Sequence, residues 1–232
     1  MFKALLASIF TVMCIFSTNS SAMMSHQFHT YPYDLSYKVN KYKNYSISHL
    51  APYFRQQGMS FPPREVAFLV FKQEKRLELW ARNTGAWHYI RSFDVLAASG
   101  GPGPKLRNND HQVPEGIYHI VGLNPNSLFN LSMELNYPNQ FDRAHAMIDG
   151  RRDLGNDIFI HGKNRSIGCV AIGDKSIEQL FVLAYAVGIQ NVEVIIAPND
   201  LRREAPVYRF FHPRWLPQLY ANIRQALMPF NA

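Results

Sequence analysis

Short apolar runs, several of them with a period of two, recur between residues 66 and 196 and constrain the fold more than any other feature. Successive side chains of a β-strand point to opposite faces, so each alternating run predicts a strand. The runs cover residues 66–70, 77–79, 87–95, 117–121, 157–160, 169–172 and 192–196. One helical pattern, over residues 174–188, separates the last two runs. We therefore predict a mainly β (α+β) domain with one or two packed helices.

The chain divides into four predicted segments. Its 232 residues, 47% hydrophobic and 18% charged, suffice for one well-packed core and are atypical of disordered or collagen-like proteins. We place the folded domain at residues 64–200, after Pro62 and Pro63. Residues 23–63 then form a tyrosine-rich extension, and residues 201–232 form a C-terminal helical tail. Residues 1–22 have the pattern of a signal peptide.

Helix signals are sparse outside the strand runs. A short helix is predicted over residues 48–57, ended by Gly58, and another over residues 213–228. Asp174 is the predicted N-cap of the helix over residues 174–188, which Gly188 ends. Residues 124–155 contain few regular signals, so we predict a long, partly ordered excursion with a functional role.

The amino-terminal segment predicts export to the cell envelope or periplasm. The apolar stretch over residues 4–16 is too short to span a bilayer, and it follows Lys3. Small residues at Ser20 and Ala22 fit a signal-peptidase cleavage site after Ala22. Cys14 would be discarded with this segment, which leaves Cys169 as the single cysteine of the exported chain.

The charge of the chain favours an anionic partner. The formal net charge is +7 at pH 7, which suits a cell wall, a membrane surface or a nucleic acid. Lys and Arg residues are scattered, however, and no run of five or more occurs, so a nucleic-acid partner is disfavoured. The sequence makes no prediction of the oligomeric state.

Cys169 has no intramolecular disulfide partner in an oxidising compartment, so it is either inert and buried or deliberately reactive. His161 lies eight residues earlier, and the two residues are predicted at facing ends of neighbouring strands. An imidazole there could lower the thiol pKa and return the proton to a leaving amine. Backbone N–H groups near Gly168 and Cys169, with the Ser166 hydroxyl, could stabilise an oxyanion.

Residues 161–171 resemble a known catalytic signature. The order His161-Gly162, three residues, then Ser166-x-Gly168-Cys169-x-Ala171 looks like the motif of the L,D-transpeptidase (YkuD) family, in the branch with a short link between His and Cys. The resemblance extends over about residues 64–200. Further matching segments are residues 71–80, 101–105, 114–118 and 135–143.

The resemblance implies a β-sandwich-like catalytic domain that acts on peptidoglycan stem peptides. Cys169 would be the nucleophile and His161 the base and acid, with Gly162, Ser166 and Gly168 in oxyanion or supporting positions. No cofactor and no metal are implied.

Two positions depart from the commoner family pattern. Ile167 stands where most members have a second histidine, and Ala171 stands where many have an arginine. Both departures agree with the short-link branch, in which some members are thought to release wall-linked proteins by hydrolysis. The direction of the reaction therefore stays open.

Candidate substrate-binding residues lie outside the motif. Arg143 and Arg165 could replace the missing arginine as a carboxylate anchor, although a solvated loop charge is the commoner role for such residues. Tyr137 and His145 lie in the excursion over residues 124–155 and could line the cleft.

Three functions follow from these observations. The chain is predicted to be an exported cysteine acyltransferase that forms a thioester with stem peptides. The first alternative is a hydrolase of the same bonds, an L,D-carboxypeptidase or an amidase that releases a wall-linked protein. The second alternative is a non-catalytic wall-binding protein in which Cys169 is merely buried.

Overall fold

The structure, a computed structural model, describes residues 32–231, and its nine strands form one curled mixed sheet. In spatial order the strands are β3-β2-β1-β9-β5-β6-β7-β8-β4. Their bounds are β1 Glu65–Phe71, β2 Arg76–Arg82, β3 His88–Asp94, β4 Ala97–Ala98, β5 Gly116–Asn124, β6 Ser132–Leu135, β7 Phe159–His161, β8 Val170–Ala171 and β9 Val192–Ala197. Strands β1 and β9 pair in parallel, as do β7 and β8, and the other pairs are antiparallel.

Four α-helices accompany the sheet within residues 32–231. They are α1 Pro32–Gln56, α2 Gln140–Ile148, α3 Asp174–Val187 and α4 Leu216–Leu227, and a short 3-10 helix covers Ile189–Asn191. The predicted mainly β, α+β fold is confirmed, with more helices than the one or two that the pattern indicated. Helix α3 connects the parallel part of the sheet at β8 to the central strand β9.

Two apolar layers cover the sheet. Helices α1 and α3 share one layer, in which Phe54 and Phe181 pack with Phe68 of β1. Helix α4 covers the other face, where Tyr220 and Ile223 pack with Trp80 of β2. The strands in the middle of the sheet are therefore buried on both faces, which explains why β1 is almost continuously apolar.

Helix α1 is much longer than the predicted helix over residues 48–57. Its end agrees with that prediction, but its start was predicted wrongly, because the helix begins at Pro32. Buried side chains recur along it at helical spacing, including Val39, Ser46, Leu50 and Phe54. The Ser46 hydroxyl donates to the Gln179 carbonyl of α3 at 3.0 Å. Packing against α3 thus stabilises a segment whose many tyrosines and polar residues give only a weak local helix signal.

The excursion over residues 124–155 is more regular than predicted, because it contains β6 and α2. Helix α2 begins with a capping box, in which the Asn139 side chain accepts from the Asp142 N–H and the Asp142 carboxylate accepts from the Asn139 N–H. The spacing Asn-x-x-Asp was readable in the sequence as a helix start. Tyr137 and Pro138, just before the box, gave the segment the look of a turn.

The predicted N-cap role of Asp174 is wrong. Gly173 occupies the N-cap position of α3, and no side chain caps this end. The Asp174 carboxylate instead accepts from the backbone N–H of Lys163 at 2.9 Å and pairs with its ammonium at 3.1 Å. It therefore holds the loop between β7 and β8.

No helix within residues 32–231 is long and apolar enough to cross a membrane. The predicted signal peptide over residues 1–22 and Cys14 lie outside the described residues.

Candidate active site

His161 ends the short strand β7, between Ser132 of β6 and Ala171 of β8. Its Nδ1 lies 2.6 Å from the carbonyl oxygen of Gly162. A carbonyl can only accept a hydrogen bond, so Nδ1 carries the proton and Nε2 is the bare nitrogen. The neighbouring backbone thus fixes the tautomer in which Nε2 can take up a proton.

The imidazole of His161 is enclosed. Its side chain is almost fully buried, and its ring lies against Phe129 with the two centroids 4.4 Å apart. Burial lowers the pKa of His161, although the hydrogen bond to Gly162 acts in the opposite direction. At neutral pH the ring is therefore mainly uncharged, as a general base must be before it accepts a proton.

Cys169 precedes strand β8 and carries a partly exposed free thiol. Its Sγ donates to the carbonyl oxygen of Asp157 at 3.7 Å. Burial raises the thiol pKa and the negative charge of Asp157 adds to the increase, while the Phe159 N–H and the Lys105 ammonium act in the opposite direction. The expectation that the thiol pKa is depressed is therefore wrong: the resting side chain is a thiol.

The strand register places Cys169 close to the strand that pairs with β7, which carries His161. Because β7 and β8 are parallel and His161 pairs with Ala171, Cys169 lies two residues before the partner of His161. Strand β8 begins at Val170, so Cys169 lies in the bend just before it. The predicted neighbouring strands are confirmed, but their ends do not face each other, and no hydrogen bond joins the two side chains within residues 32–231.

Ser166 organises the loop that carries Cys169. Its hydroxyl donates to the Cys169 carbonyl at 2.6 Å and accepts from the Gly168 N–H at 3.3 Å. It also accepts from the Ser99 N–H at 3.1 Å and lies 2.9 Å from the Ser99 hydroxyl. These bonds commit both the Ser166 hydroxyl and the Gly168 N–H to supporting the loop.

Two glycines of the motif are required by different constraints. Gly168 has φ +127°, a conformation that residues with a Cβ rarely adopt. At Gly162 a Cβ would lie 2.5 Å from the Phe129 carbonyl oxygen and 2.6 Å from Asp174 Oδ1. The chain next to His161 is therefore packed directly against backbone.

Replacing Gly162 with alanine is expected to lower the free energy of unfolding by roughly 1–3 kcal/mol, because the backbone contact cannot relax without moving His161. Chemical denaturation measures this change, and acyl-enzyme formation should fall with it. Gly122→Ala is the matched control, since its added Cβ would meet the flexible carboxylate end of Glu134 at 3.0 Å and the Glu134 Cβ at an ordinary contact distance of 3.6 Å. Equal stability of the two variants would contradict the packing argument.

The other candidate residues of the β7–β8 loop lie at its surface. Arg165 is exposed and makes no hydrogen bond or ion pair within the described residues. Ile167, which precedes Gly168, is 77% exposed. The Arg165 guanidinium makes no hydrogen bond to His161 or Cys169.

The candidate residues from the segment over residues 124–155 lie in two different parts of the structure. Tyr137 is buried, and its hydroxyl donates to the Leu154 carbonyl at 3.1 Å, so it holds the segment that leads to β7. His145 lies on α2 and stacks on Trp215, with ring centroids 4.8 Å apart. Arg143 is exposed on α2 and donates to the Pro138 carbonyl. Arg143 keeps donors for a ligand, and His145 Nδ1 is buried without a hydrogen-bond partner.

Several residues at the site were missed by the sequence analysis. Asp157 supplies the carbonyl that contacts the thiol, Phe129 covers His161, and Ser99 joins the motif loop to β4. Glu134 pairs with Phe159 across β6 and β7, and burial, with the charge of Asp157, raises its pKa to about 7. These contacts join segments distant in sequence, and no local pattern marks them.

No group of three His, Cys, Asp or Glu side chains within residues 32–231 is arranged to hold a metal ion.

The comparison with protein families gives one match over the centre of the chain. The model of the L,D-transpeptidase catalytic domain, YkuD, matches residues 65–196. The relative YafK of Escherichia coli (strain K12) is 31% identical over 170 residues, which cover 70% of this chain and 65% of YafK. The matched region thus spans slightly less than two thirds of that relative.

Solved structures show a weaker overall likeness. The helical cell shape determining protein Pgp2 from Campylobacter jejuni is 22% identical, with a TM-score of 0.48, over 61% of this chain and 50% of Pgp2. Bd1075 of Bdellovibrio bacteriovorus is 23% identical, with a TM-score of 0.43, over 72% of this chain and 55% of Bd1075. The family match includes the whole segment from His161 to Cys169, and this chain belongs to the L,D-transpeptidase catalytic domain (YkuD) family.

Proposed function

We propose that this protein is an exported cysteine acyltransferase of the L,D-transpeptidase type that acts on peptidoglycan stem peptides. The observation that carries the proposal is the hydrogen bond from His161 Nδ1 to the Gly162 carbonyl. It leaves Nε2 as a proton acceptor on β7, and the free thiol of Cys169 lies just before β8, the parallel neighbour of β7. A thiol and an oriented neutral imidazole are the parts of a nucleophile and its general base.

In the proposed acylation, the Cys169 sulfur attacks the carbonyl carbon of the diaminopimelate residue in a stem peptide. His161 Nε2 takes the thiol proton as the carbon–sulfur bond forms. The same nitrogen then gives that proton to the departing amine as the carbon–nitrogen bond breaks, which leaves a thioester. Because burial raises the thiol pKa, proton transfer accompanies the attack rather than preceding it.

The backbone around Cys169 is the proposed oxyanion site. Since Ser166 already binds the Gly168 N–H, we assign the Cys169 N–H as the principal donor. Ser166 and Gly162 act as supports, the first for the loop and the second for the imidazole. Removing one oxyanion donor typically costs about 3 kcal/mol of transition-state stabilisation.

The second half-reaction decides between transfer and hydrolysis. An amine acceptor gives a cross-link or an attached protein, whereas water gives a carboxypeptidase or an amidase that releases a wall-linked protein. Ile167 and Ala171, the two departures from the commoner motif, favour keeping hydrolysis as the second candidate. Both routes share the thioester at Cys169.

The proposal assigns residues 64–200 to catalysis, residues 1–22 to an export signal and residues 23–63 and 201–232 to flanking segments. The place of action is then the periplasm or cell envelope. Mass spectrometry of purified muropeptides after incubation with the protein, with and without an amine acceptor, tests both the substrate and the reaction. Unchanged muropeptides in both samples, together with no labelling of Cys169 by iodoacetamide even above about pH 9, would favour a wall-binding protein instead.

The pH dependence of thiol labelling follows from the raised pKa of Cys169. The thiolate reacts, so the rate of alkylation should rise about tenfold per pH unit at neutral pH and level off only above about pH 8.5. Iodoacetamide labelling followed by peptide mass mapping measures the rate at Cys169 and separates it from Cys14. A rate that is already constant below pH 7 would indicate a preformed thiolate and contradict this reading of the site.

A further inference from the structure

An open pocket lies between helix α2 and the segment over residues 151–156. Its volume is about 650 Å³, and its wall includes Arg143, Arg151, Arg152 and Asp153. We propose that this arginine pocket binds a free carboxylate of the stem peptide whose carbonyl is attacked at Cys169. This inference rests on the proposed function and adds a second anchoring point to it.

The charges of the pocket favour an anion. Arg151 is neutralised by Asp149 at 3.0 Å and donates to the Leu106 carbonyl at 2.7 Å. Arg143 donates one hydrogen bond to the Pro138 carbonyl. Arg152 is exposed and makes no hydrogen bond or ion pair within residues 32–231. Two guanidinium groups therefore keep free donors in the pocket.

Asp153 is the acidic residue of the wall. Its carboxylate accepts from the Gly155 N–H at 3.2 Å, so part of its hydrogen-bonding capacity is used within the loop. The free cationic groups outnumber it by two to one. A guanidinium matches a carboxylate with two parallel hydrogen bonds, which gives direction as well as attraction.

The wall of the pocket is built from fixed backbone. The Asn108 N–H donates to the Asp153 carbonyl at 3.0 Å, and Tyr137 holds the Leu154 carbonyl. A Cβ at Gly155 would lie 2.9 Å from the Asn108 side chain, so the two loops are in close contact. A ligand would meet a wall that is already ordered, which reduces the entropic cost of binding.

The pocket adjoins the thiol. Its wall includes Asn156, and the next residue, Asp157, contacts the Cys169 sulfur through its carbonyl oxygen at 3.7 Å. With neighbouring Cα atoms 3.8 Å apart, the backbone edge of the pocket lies within about 10 Å of the sulfur. A carboxylate one or two residues from the attacked carbonyl can span this distance.

A stem tetrapeptide offers three carboxylates of the same chemistry, on D-glutamate, on the side chain of diaminopimelate and at the C-terminus. Three synthetic tetrapeptides, each with one of these groups amidated, separate the sources. Calorimetric binding to Cys169→Ala protein avoids turnover and uses the full chain. The test variant adds Arg143→Gln and Arg152→Gln, and the control adds Arg55→Gln, an exposed arginine on α1.

We expect the double arginine variant to bind the unmodified tetrapeptide about 10- to 100-fold more weakly, as for the loss of charge-assisted hydrogen bonds. One of the three amidated peptides should bind the Cys169→Ala protein as weakly as the unmodified tetrapeptide binds the double arginine variant. Its affinity should not change further when the two arginines are replaced. Arg55→Gln should leave every affinity unchanged. Equal affinities for all four peptides, equal losses for the three amides, or no binding of the tetrapeptide would each overturn the inference.

The two proposals fail differently. If no thioester forms on the Cys169 protein but the arginine variant still loses affinity for the tetrapeptide, the reaction is wrong and the pocket stands. If the thioester forms and the arginine variant binds normally, the pocket is wrong and the reaction stands. Circular dichroism of each variant checks that the fold is retained.

Discussion

The Cys169→Ala variant is expected to form no acyl-enzyme and to lose turnover by at least about 10⁴-fold. Within residues 32–231 Cys169 carries the one free thiol, so no other side chain there can form the thioester. Loss of a catalytic nucleophile in a comparable hydrolase lowers turnover by about 10⁶-fold. The measurement is intact-protein mass spectrometry after incubation with a stem peptide, combined with muropeptide analysis.

The fold should survive this change. Alanine retains the Cβ of Cys169, and the sulfur makes one long hydrogen bond, to the Asp157 carbonyl. Circular dichroism and chemical denaturation should therefore resemble those of the unmodified protein. Cys169→Ser is the matched variant, and it should be nearly as inactive, because an alcohol is a far weaker nucleophile beside one imidazole. If Cys169→Ala turns over at the rate of the unmodified protein, the proposed mechanism is wrong.

The His161→Ala variant is expected to acylate Cys169 roughly 10²- to 10⁴-fold more slowly, the usual range for the loss of a general acid-base residue. In the proposed mechanism the bare Nε2 takes the thiol proton, and the Gly162 carbonyl holds the ring in that tautomer. Intact-protein mass spectra of reactions quenched at a series of times give the acylation rate. His88→Ala, at an exposed position of β3, is the control and should acylate normally.

A second readout separates catalysis from a simple electrostatic effect. Burial lowers the pKa of His161 and raises that of Cys169, so the resting pair is neutral. Removing a neutral imidazole should therefore leave the pH profile of Cys169 alkylation nearly unchanged while acylation collapses. If both the alkylation profile and the acylation rate match those of the unmodified protein, His161 has no catalytic role.

The strands were the most predictable part of the fold. Apolar runs at residues 66–70, 117–121 and 192–196 each correspond to a strand, because the alternation of faces in a strand is a local property of the chain. Helix α1 was predictable only at its C-terminal end, where Gly58 follows. Its earlier residues are held by contacts with segments far away in sequence, such as Asp34 with Asn126 and Ser46 with Gln179 of α3, and no local pattern marks these contacts.

The position of the site was readable because its chemistry is concentrated in one short segment. The only free thiol within residues 32–231 and a histidine eight residues earlier lie in a glycine-containing motif with a recognisable order. The protonation states were not readable. They depend on burial by Phe129, on the charge of Asp157 and on the Gly162 carbonyl, and two of these three come from outside the motif.

By itself the sequence determined the class of fold and the family, and it singled out Cys169 and His161 as the candidate pair, since each depends on the order and periodicity of residues along the chain. The tertiary structure alone decided which strands are neighbours, that β7 and β8 run parallel, and which nitrogen of His161 is free. It also brought Asn108 against the segment over residues 151–156, which completes the wall of the arginine pocket. The physical reason is that burial, register and electrostatic fields are sums over contacts between distant segments, and a linear pattern does not contain those sums.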